Sequence, residues 1–196
     1  MESDSWPSLA RIAGTACLKP ILATAVVVGD DLLLTVAHAI AGSEDLTVVD
    51  LAGFDRPALV VAFDPERDLA LLEAEGFDDA IEFASPDDGG SGTIAAVGSD
   101  LTVGADPYRI IRMVTASSGD IYDEGEVLRQ VIEIEADVRA GDSGAPLIND
   151  HRQMIGMVFA ESQGVEGSAW ALHVSEIEAF LGMNRSGDEV DRGTCR

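Results

Sequence analysis

Basic side chains are scarce in this chain. Twelve Lys and Arg stand against 36 Asp and Glu, for a formal net charge of −24. Phosphate backbones are held by clustered cations, so nucleic acid is excluded as a partner. The acids are scattered, at Asp30-Asp31, Asp64 to Asp68, Asp78-Asp79, Asp87-Asp88 and Asp123 to Glu126. They read as a solvated anionic surface that keeps the protein soluble. Attraction for basic substrates and adaptation to salty or acidic surroundings are the sharper alternatives. Long hydrophobic runs are also missing. A bilayer span needs roughly 18–20 unbroken apolar residues, and the best run, "ILATAVVV", stops at Gly29-Asp30-Asp31. The start, "MESDSWPSLA", lacks the basic opening and apolar stretch of a signal peptide. Two locations stay open: the cytoplasm, or the outer side of a membrane for a soluble portion of an exported or anchored chain. Any membrane association would run through an anchor absent from this sequence.

Cysteine and histidine are rare too. Three His and no clustered Cys/His set leave a metal site without ligands. No Gly-rich phosphate loop joins a strand to a helix, so no nucleotide cofactor is expected. The two cysteines are Cys17 and Cys195. Two free thiols are the ordinary state in a cytosolic protein. Cys195, however, lies in the polar tail "RSGDEVDRGTCR", which has little means of burying it, so pairing with Cys17 is expected.

What the chain does have is 46% hydrophobic residues and 20 Gly, enough for a core of short strands joined by tight turns. Short β-branched runs between turn signals predict strands at Leu9–Cys17, Leu22–Val28, Leu32–Val36, Leu46–Leu51, Pro57–Phe63 and Leu69–Glu73. A polar break, "FASPDDGGSG", follows. A second set is predicted at Thr93–Gly98, Arg109–Ser117, Val127–Glu135, Ala145–Asn149, Met154–Ala160 and Ser168–Val174. "SEIEAFLG" (Ser175–Gly182), with a Ser cap, an early Glu and a closing Gly, predicts a short terminal helix. The expected fold is all-β: two antiparallel six-stranded β-barrels and a short C-terminal helix, with a single β-sandwich as the alternative. The expected divisions are 9–90, 91–182 and a polar tail, 183–196.

Three fragments stand out by their order. "LLLTVAHAIAG" runs an apolar strand into small residues and His38. "FDPERDLALLEAE" places Asp68 where a strand begins. "AGDSGAPLI" sets Ser143 between glycines in a turn that opens a strand. Singly, each has a plain structural reading: a capping His, a strand-edge Asp, a turn. Together they supply the parts of serine acyl chemistry. A hydroxyl is a weak nucleophile and needs a neutral base beside it. A carboxylate holds the imidazole in the useful tautomer. The oxyanion needs N–H donors, which Gly141 and Ser143 could offer from a tight loop. Order and motif argue against an α/β-hydrolase, whose elbow is G-x-S-x-G and whose His comes last. His38 and Asp68 would lie on the first barrel and Ser143 on the second, with the site between them.

These fragments resemble the chymotrypsin-like (trypsin-like) serine protease family. "TVAHA" is similar to its T-A-A-H box, "DLAL" to D-[IL]-A-L and "GDSGAP" to G-D-S-G-G-P. The resemblance covers nearly the whole chain. It implies His38 as base, Asp68 as orienting acid, Ser143 as nucleophile and Asp142 as a support for the loop. "RIIRMVTASSGDIYDEGEV", "VRAGDSGAPLI" and "MIGMVFAES" further resemble the protease domain of actinobacterial periplasmic, membrane-anchored proteases linked to acid resistance (the MarP type). That type implies one disulfide from the start of the domain to its end, as Cys17 and Cys195 could form. Two departures stand: Ala145 replaces a Gly, and the usual Gly-rich opening near "ILATAVVV" is missing.

The resemblance also implies a substrate pocket. Asp137, six residues before Ser143, matches its base, where Asp favours Lys or Arg. A solvent-exposed Asp is the alternative, because the loop is short and no Cys braces it. Phe159-Ala160-Glu161 resembles the strand that pairs with substrate backbone, and Ala169 resembles a pocket-wall position. "RIAG" (Arg11–Gly14) is similar to an activation site whose new N-terminus would pair with Asp142; an uncut strand is the stronger reading. The expected activity is that of a monomeric serine endopeptidase on peptide or protein substrates, cell-envelope proteins among them. A peptide-binding module without catalysis is the rival, and esterase or thioester cleavage shares the chemistry.

Overall fold

Residues 6, 9–162, 165–184 and 187–195 are described in the computed structural model of the chain; of the expected tail, residues 185, 186 and 196 lie outside them. Among the described residues, fourteen strands and two helices follow in order. The first eight strands are β1 (Leu9–Ala16), β2 (Lys19–Pro20), β3 (Ala23–Gly29), β4 (Leu32–Thr35), β5 (Ser43–Asp50), β6 (Asp55–Pro57), β7 (Leu59–Asp64) and β8 (Leu69–Glu73). A four-residue helix, α1 (Ala37–Ile40), sits between β4 and β5. The rest are β9 (Ser91–Val97), β10 (Val103–Ser118), β11 (Val127–Glu135), β12 (Pro146–Asn149), β13 (Met154–Glu161), β14 (Ser168–His173) and α2 (Val174–Met183).

Every predicted strand is present. The corrections lie at the edges. The run predicted at Pro57–Phe63 is two strands, β6 and β7, because the pairing partner changes at Ala58: β6 pairs with β5 and β7 with β8. β2 is a two-residue arm on β1. β10 starts six residues earlier than predicted and runs through Pro107, pairing first with β9 and then with β11.

The fold is mostly β, in two sheets. The second closes as a barrel in the order β10-β11-β14-β13-β12-β9. The first has eight strands rather than six, in the path β6-β5-β1-β3-β4-β8-β7 with β2 beside β1. Among the described residues no pairing joins its end strands, β6 and β7. Packing follows the alternation of strand side chains. Ile12, Val27, Leu33, Val48, Val60 and Leu72 fill the first sheet, and Ile94, Ile110, Ile132, Ile134 and Leu147 fill the barrel. A third cluster lies between them, where Val26, Leu34, Leu69 and Leu71 meet Val97, Met157, Leu172 and Phe180. That shared core fixes the two halves against each other, and so fixes their facing loops.

The terminal helix begins one residue before its predicted Ser. His173, not Ser175, is the N-cap: its Nδ1 accepts the Ser175 N–H at 3.0 Å. Gly182 lies inside the helix rather than closing it. Beyond α2 the tail returns to the first sheet. Val190 N–H donates to Val60 O (2.8 Å), and Gly42 N–H donates to Arg192 O (3.0 Å). The Cys17–Cys195 disulfide, with Cα atoms 5.5 Å apart, closes it.

Candidate active site

His38 sits in α1, which has no side-chain N-cap of its own. The first N–H groups of a helix need outside partners, and Asp68 supplies one: its Oδ1 accepts the His38 N–H at 2.8 Å. Its Oδ2 meets His38 Nδ1 at 2.7 Å. An ionised carboxylate only accepts, so Nδ1 carries the proton and Nε2 is free to accept. Nε2 lies 3.2 Å from Ser143 Oγ. Asp68 is 3% exposed, which keeps water from competing for these bonds.

Asp68 opens β8 with φ +61°, a conformation that Asp tolerates better than most side chains. The turn before it is pinned. Asp64 Oδ1 accepts the Arg67 N–H (2.9 Å), and Asp64 Oδ2 accepts from Arg67 Nη1 (2.8 Å).

Ser143 lies in the turn before β12. Thr24 N–H donates to Ser143 O (3.0 Å), and Gly144 N–H donates to Val158 O (2.9 Å), which ties the turn to both halves. Gly144 has φ +83°, and a Cβ there would overlap the Thr24 carbonyl oxygen and reach 2.6 Å from Thr35 Oγ1. Only glycine lets the backbones approach so closely. Gly141, with φ +107°, brings Leu22 within 3.1 Å of where a Cβ would be. Among the described residues, neither the Gly141 nor the Ser143 N–H has a hydrogen-bond partner inside the protein. Asp142 braces the turn: Arg139 N–H donates to its Oδ2 (2.7 Å). Burial pushes its carboxyl above the usual carboxylate range, against that bond.

Two supports escaped sequence reasoning. Thr35 Oγ1 donates to Thr24 O (2.9 Å), and Thr24 Oγ1 accepts the Val97 N–H (2.9 Å). Both threonines are fully buried. Their only sequence signal is a polar residue at an inward strand position.

The pocket residues are not brought together in the same way. Asp137 is 80% exposed at its side chain and pairs with Arg139 at 2.9 Å. Its carboxylate stands at an open cleft that Pro107, Ile111 and Val165 also line. Ala169 is buried in β14. Phe159, Ala160 and Glu161 end β13, whose pairing with β12 stops at Met157 while its pairing with β14 continues to Glu161. One edge of that segment is therefore open to an added strand. Ile12, in "RIAG", is fully buried in mid-strand, paired with Ala23 and Val48. A new terminus there would dismantle β1. His151 is exposed in the β12–β13 turn.

The trypsin-like peptidase domain matches residues 23–157. The chain belongs to that family. It is 34% identical over 199 residues to the serine protease Rv3671c of Mycobacterium tuberculosis, covering 96% of this chain and 49% of that protein. It is 27% identical over 173 residues to the Do-like serine protease HtrB of Bacillus subtilis, covering 82% of this chain and 37% of that one. The peptidase chain thus spans about half the length, or less, of these curated relatives. Its structure matches the active form of the Rv3671c protease with a TM-score of 0.91 and 31% identity, over 96% of this chain and 86% of that one. The inactive form matches at 0.78 and 30% identity, over 92% and 90%. The MarP-type resemblance read from the sequence is borne out by these matches. Like those relatives, this trypsin-like peptidase is a serine protease by family. No helix among the described residues is long and apolar enough to cross a membrane.

Proposed function

We propose that this chain is a serine endopeptidase that cleaves peptide bonds through an acyl-enzyme intermediate. The observation that carries the reading is the continuous line from Asp68 through His38 to Ser143, at 2.7 and 3.2 Å. Ser143 Oγ attacks the scissile carbonyl carbon while its proton passes to His38 Nε2. Asp68 holds the ring and stabilises the imidazolium that forms. The Gly141 and Ser143 N–H groups receive the oxyanion. His38 then returns the proton to the leaving amine, and water releases the acyl group by the same path. Substrate backbone adds to the open edge at Phe159–Glu161, and Ala169 narrows the pocket wall. The exposure of Asp137 argues against strong Lys or Arg preference. On this reading the eight-stranded sheet is the counterpart of the closed barrel, with the site between them. The disulfide favours an oxidising compartment, such as the outer side of a membrane, where cell-envelope proteins would be within reach.

The greater similarity to the active than to the inactive form of Rv3671c supports a productive site. The test is labelling with a fluorophosphonate, which phosphonylates activated serines with loss of fluoride, followed by mapping of the modified residue. Modification at Ser143, lost in Ser143→Ala along with peptide cleavage, is the expected result. Labelling that persists in the variant would overturn the assignment.

A further inference from the structure

The turn that delivers Asp68 touches the other half of the molecule at two points. Ile121 N–H, from the connection between β10 and β11, donates to Pro65 O at 3.1 Å. The second point is a side chain. Arg67 Nε lies 3.5 Å from Glu176 Oε2 in the first turn of α2. This is an ionic contact, and the buried Nε has no hydrogen-bond partner of its own. Glu176 is fixed in turn, since its Oε1 accepts the Gln130 N–H of β11 at 2.9 Å. Arg67 also bonds Asp64 within its turn, so one guanidinium joins the end of β7 to the helix and barrel. Side-chain exposures of 32%, 19% and 16% for Arg67, Asp64 and Glu176 put the network partly out of water. Arg67 faces a cleft of about 630 Å³ that Glu66, Asp120, Glu124 and Glu126 also line. Removing its charge would leave those carboxylates unopposed.

His38 and Asp68 belong to the first half and Ser143 to the second. The 3.2 Å between His38 and Ser143 therefore depends on how the halves seat. Asp68, the residue after Arg67, carries a positive φ that its surroundings must hold. We propose that Arg67 is a positioning residue: gripping Asp64 and Glu176 at once, it sets where Asp68, and through it His38, stands relative to Ser143. The inference rests on the catalytic reading of that triad. It predicts a specific kinetic signature. A misplaced base slows the chemical step while leaving the substrate-binding edge on β13 untouched.

The experiment compares wild type, Arg67→Gln, Arg67→Lys, Glu176→Gln and the double Arg67→Gln/Glu176→Gln. It measures kcat and KM on a peptide substrate, the fluorophosphonate labelling rate and thermal unfolding. Arg67→Gln should lower kcat about tenfold with KM changed less than about twofold, at temperatures where the variant is fully folded. The labelling rate should fall with kcat. Lys carries the charge but not the fork that reaches two carboxylates, so Arg67→Lys should fall between. Glu176→Gln, nearly isosteric, should lower kcat about threefold and carries the test if Arg67→Gln does not fold. The double variant should be no slower than Arg67→Gln, because both changes break one link. Wild-type kcat in the folded single variants, a loss confined to KM, or losses that multiply in the double would overturn the inference alone. A wild-type chain that fails to label at Ser143 would instead overturn the catalytic reading beneath it.

Discussion

Asp68 and Asp137 are two aspartates at loop–strand junctions, and both were candidates for function. Asp68 is 3% exposed and accepts two bonds from one histidine, in a turn held by Asp64 and Arg67. Asp137 has an 80% exposed side chain and, among the described residues, one partner, Arg139, itself 64% exposed. A carboxylate in water gains little from a nearby cation, because solvent screens the pair. A carboxylate removed from water must be paired, and then it dictates the orientation of its partner. The difference teaches that enclosure and the number of fixed partners, rather than the residue type, make an acid a working part.

Asp68→Asn breaks the comparison on its strong side. It keeps the shape but leaves the ring free to adopt the wrong tautomer, so kcat should fall about a thousandfold or more with the fold retained. Steady-state kinetics beside a circular dichroism spectrum checks it. The matching Asp137→Asn should change kcat/KM on a Lys or Arg substrate by less than about threefold. A loss as large as that of Asp68→Asn would show that Asp137 is enclosed when substrate binds.

The side of the molecule that holds His38 is tied down at its end by the disulfide, across a sequence separation of 178. Replacing Cys17 and Cys195 by Ala should lower stability by about 4–5 kcal/mol in the chain-entropy account, and often by less. Urea unfolding measures it, and an unchanged midpoint would remove the tail from the supports of this region. On the serine side, Gly144→Ala forces a methyl against Thr24 and Thr35 at a positive φ. We expect a loss of about 3 kcal/mol, read in the same experiment.

The smallest effects concern pH. Asp142 offers a sharper comparison with the exposed Asp137. Burial raises its folded carboxyl above the ordinary 3.8. A raised carboxylate favours the folded state once protonated, and the penalty for its charge is fully present above the folded value. As pH rises from 3.8, stability should therefore shift in favour of Asp142→Asn relative to wild type. Unfolding curves of wild type and Asp142→Asn at several pH values test the sign.

Much of this protein was legible beforehand. Short β-branched runs such as Leu32–Thr35 and Leu69–Glu73 announce strands, because alternating or fully buried apolar positions leave few other uses for such a run. The three boxes marked His38, Asp68 and Ser143 as candidates, because serine acyl chemistry needs those residue types. Other features had no local signal. β6 and β7 read as one strand because nothing local at Pro57-Ala58 signals the change of partner from β5 to β8. His173 ends β14, within the strand predicted at Ser168–Val174, and it also caps α2, which had no local signal because capping depends on where the imidazole reaches.

The sequence by itself determined most of the strands, the candidate reacting groups and the family, since each is written in a contiguous stretch of chain. The tertiary structure alone decided which groups are enclosed and which stand in water. Asp68 is buried where β8 lies between β4 and β7, whereas Asp137 stands in an open cleft with its side chain in water. It alone also joined Arg67 to Glu176, residues 109 positions apart in the chain. Enclosure and long-range pairing depend on what the rest of the chain brings alongside, and no local stretch of sequence carries that.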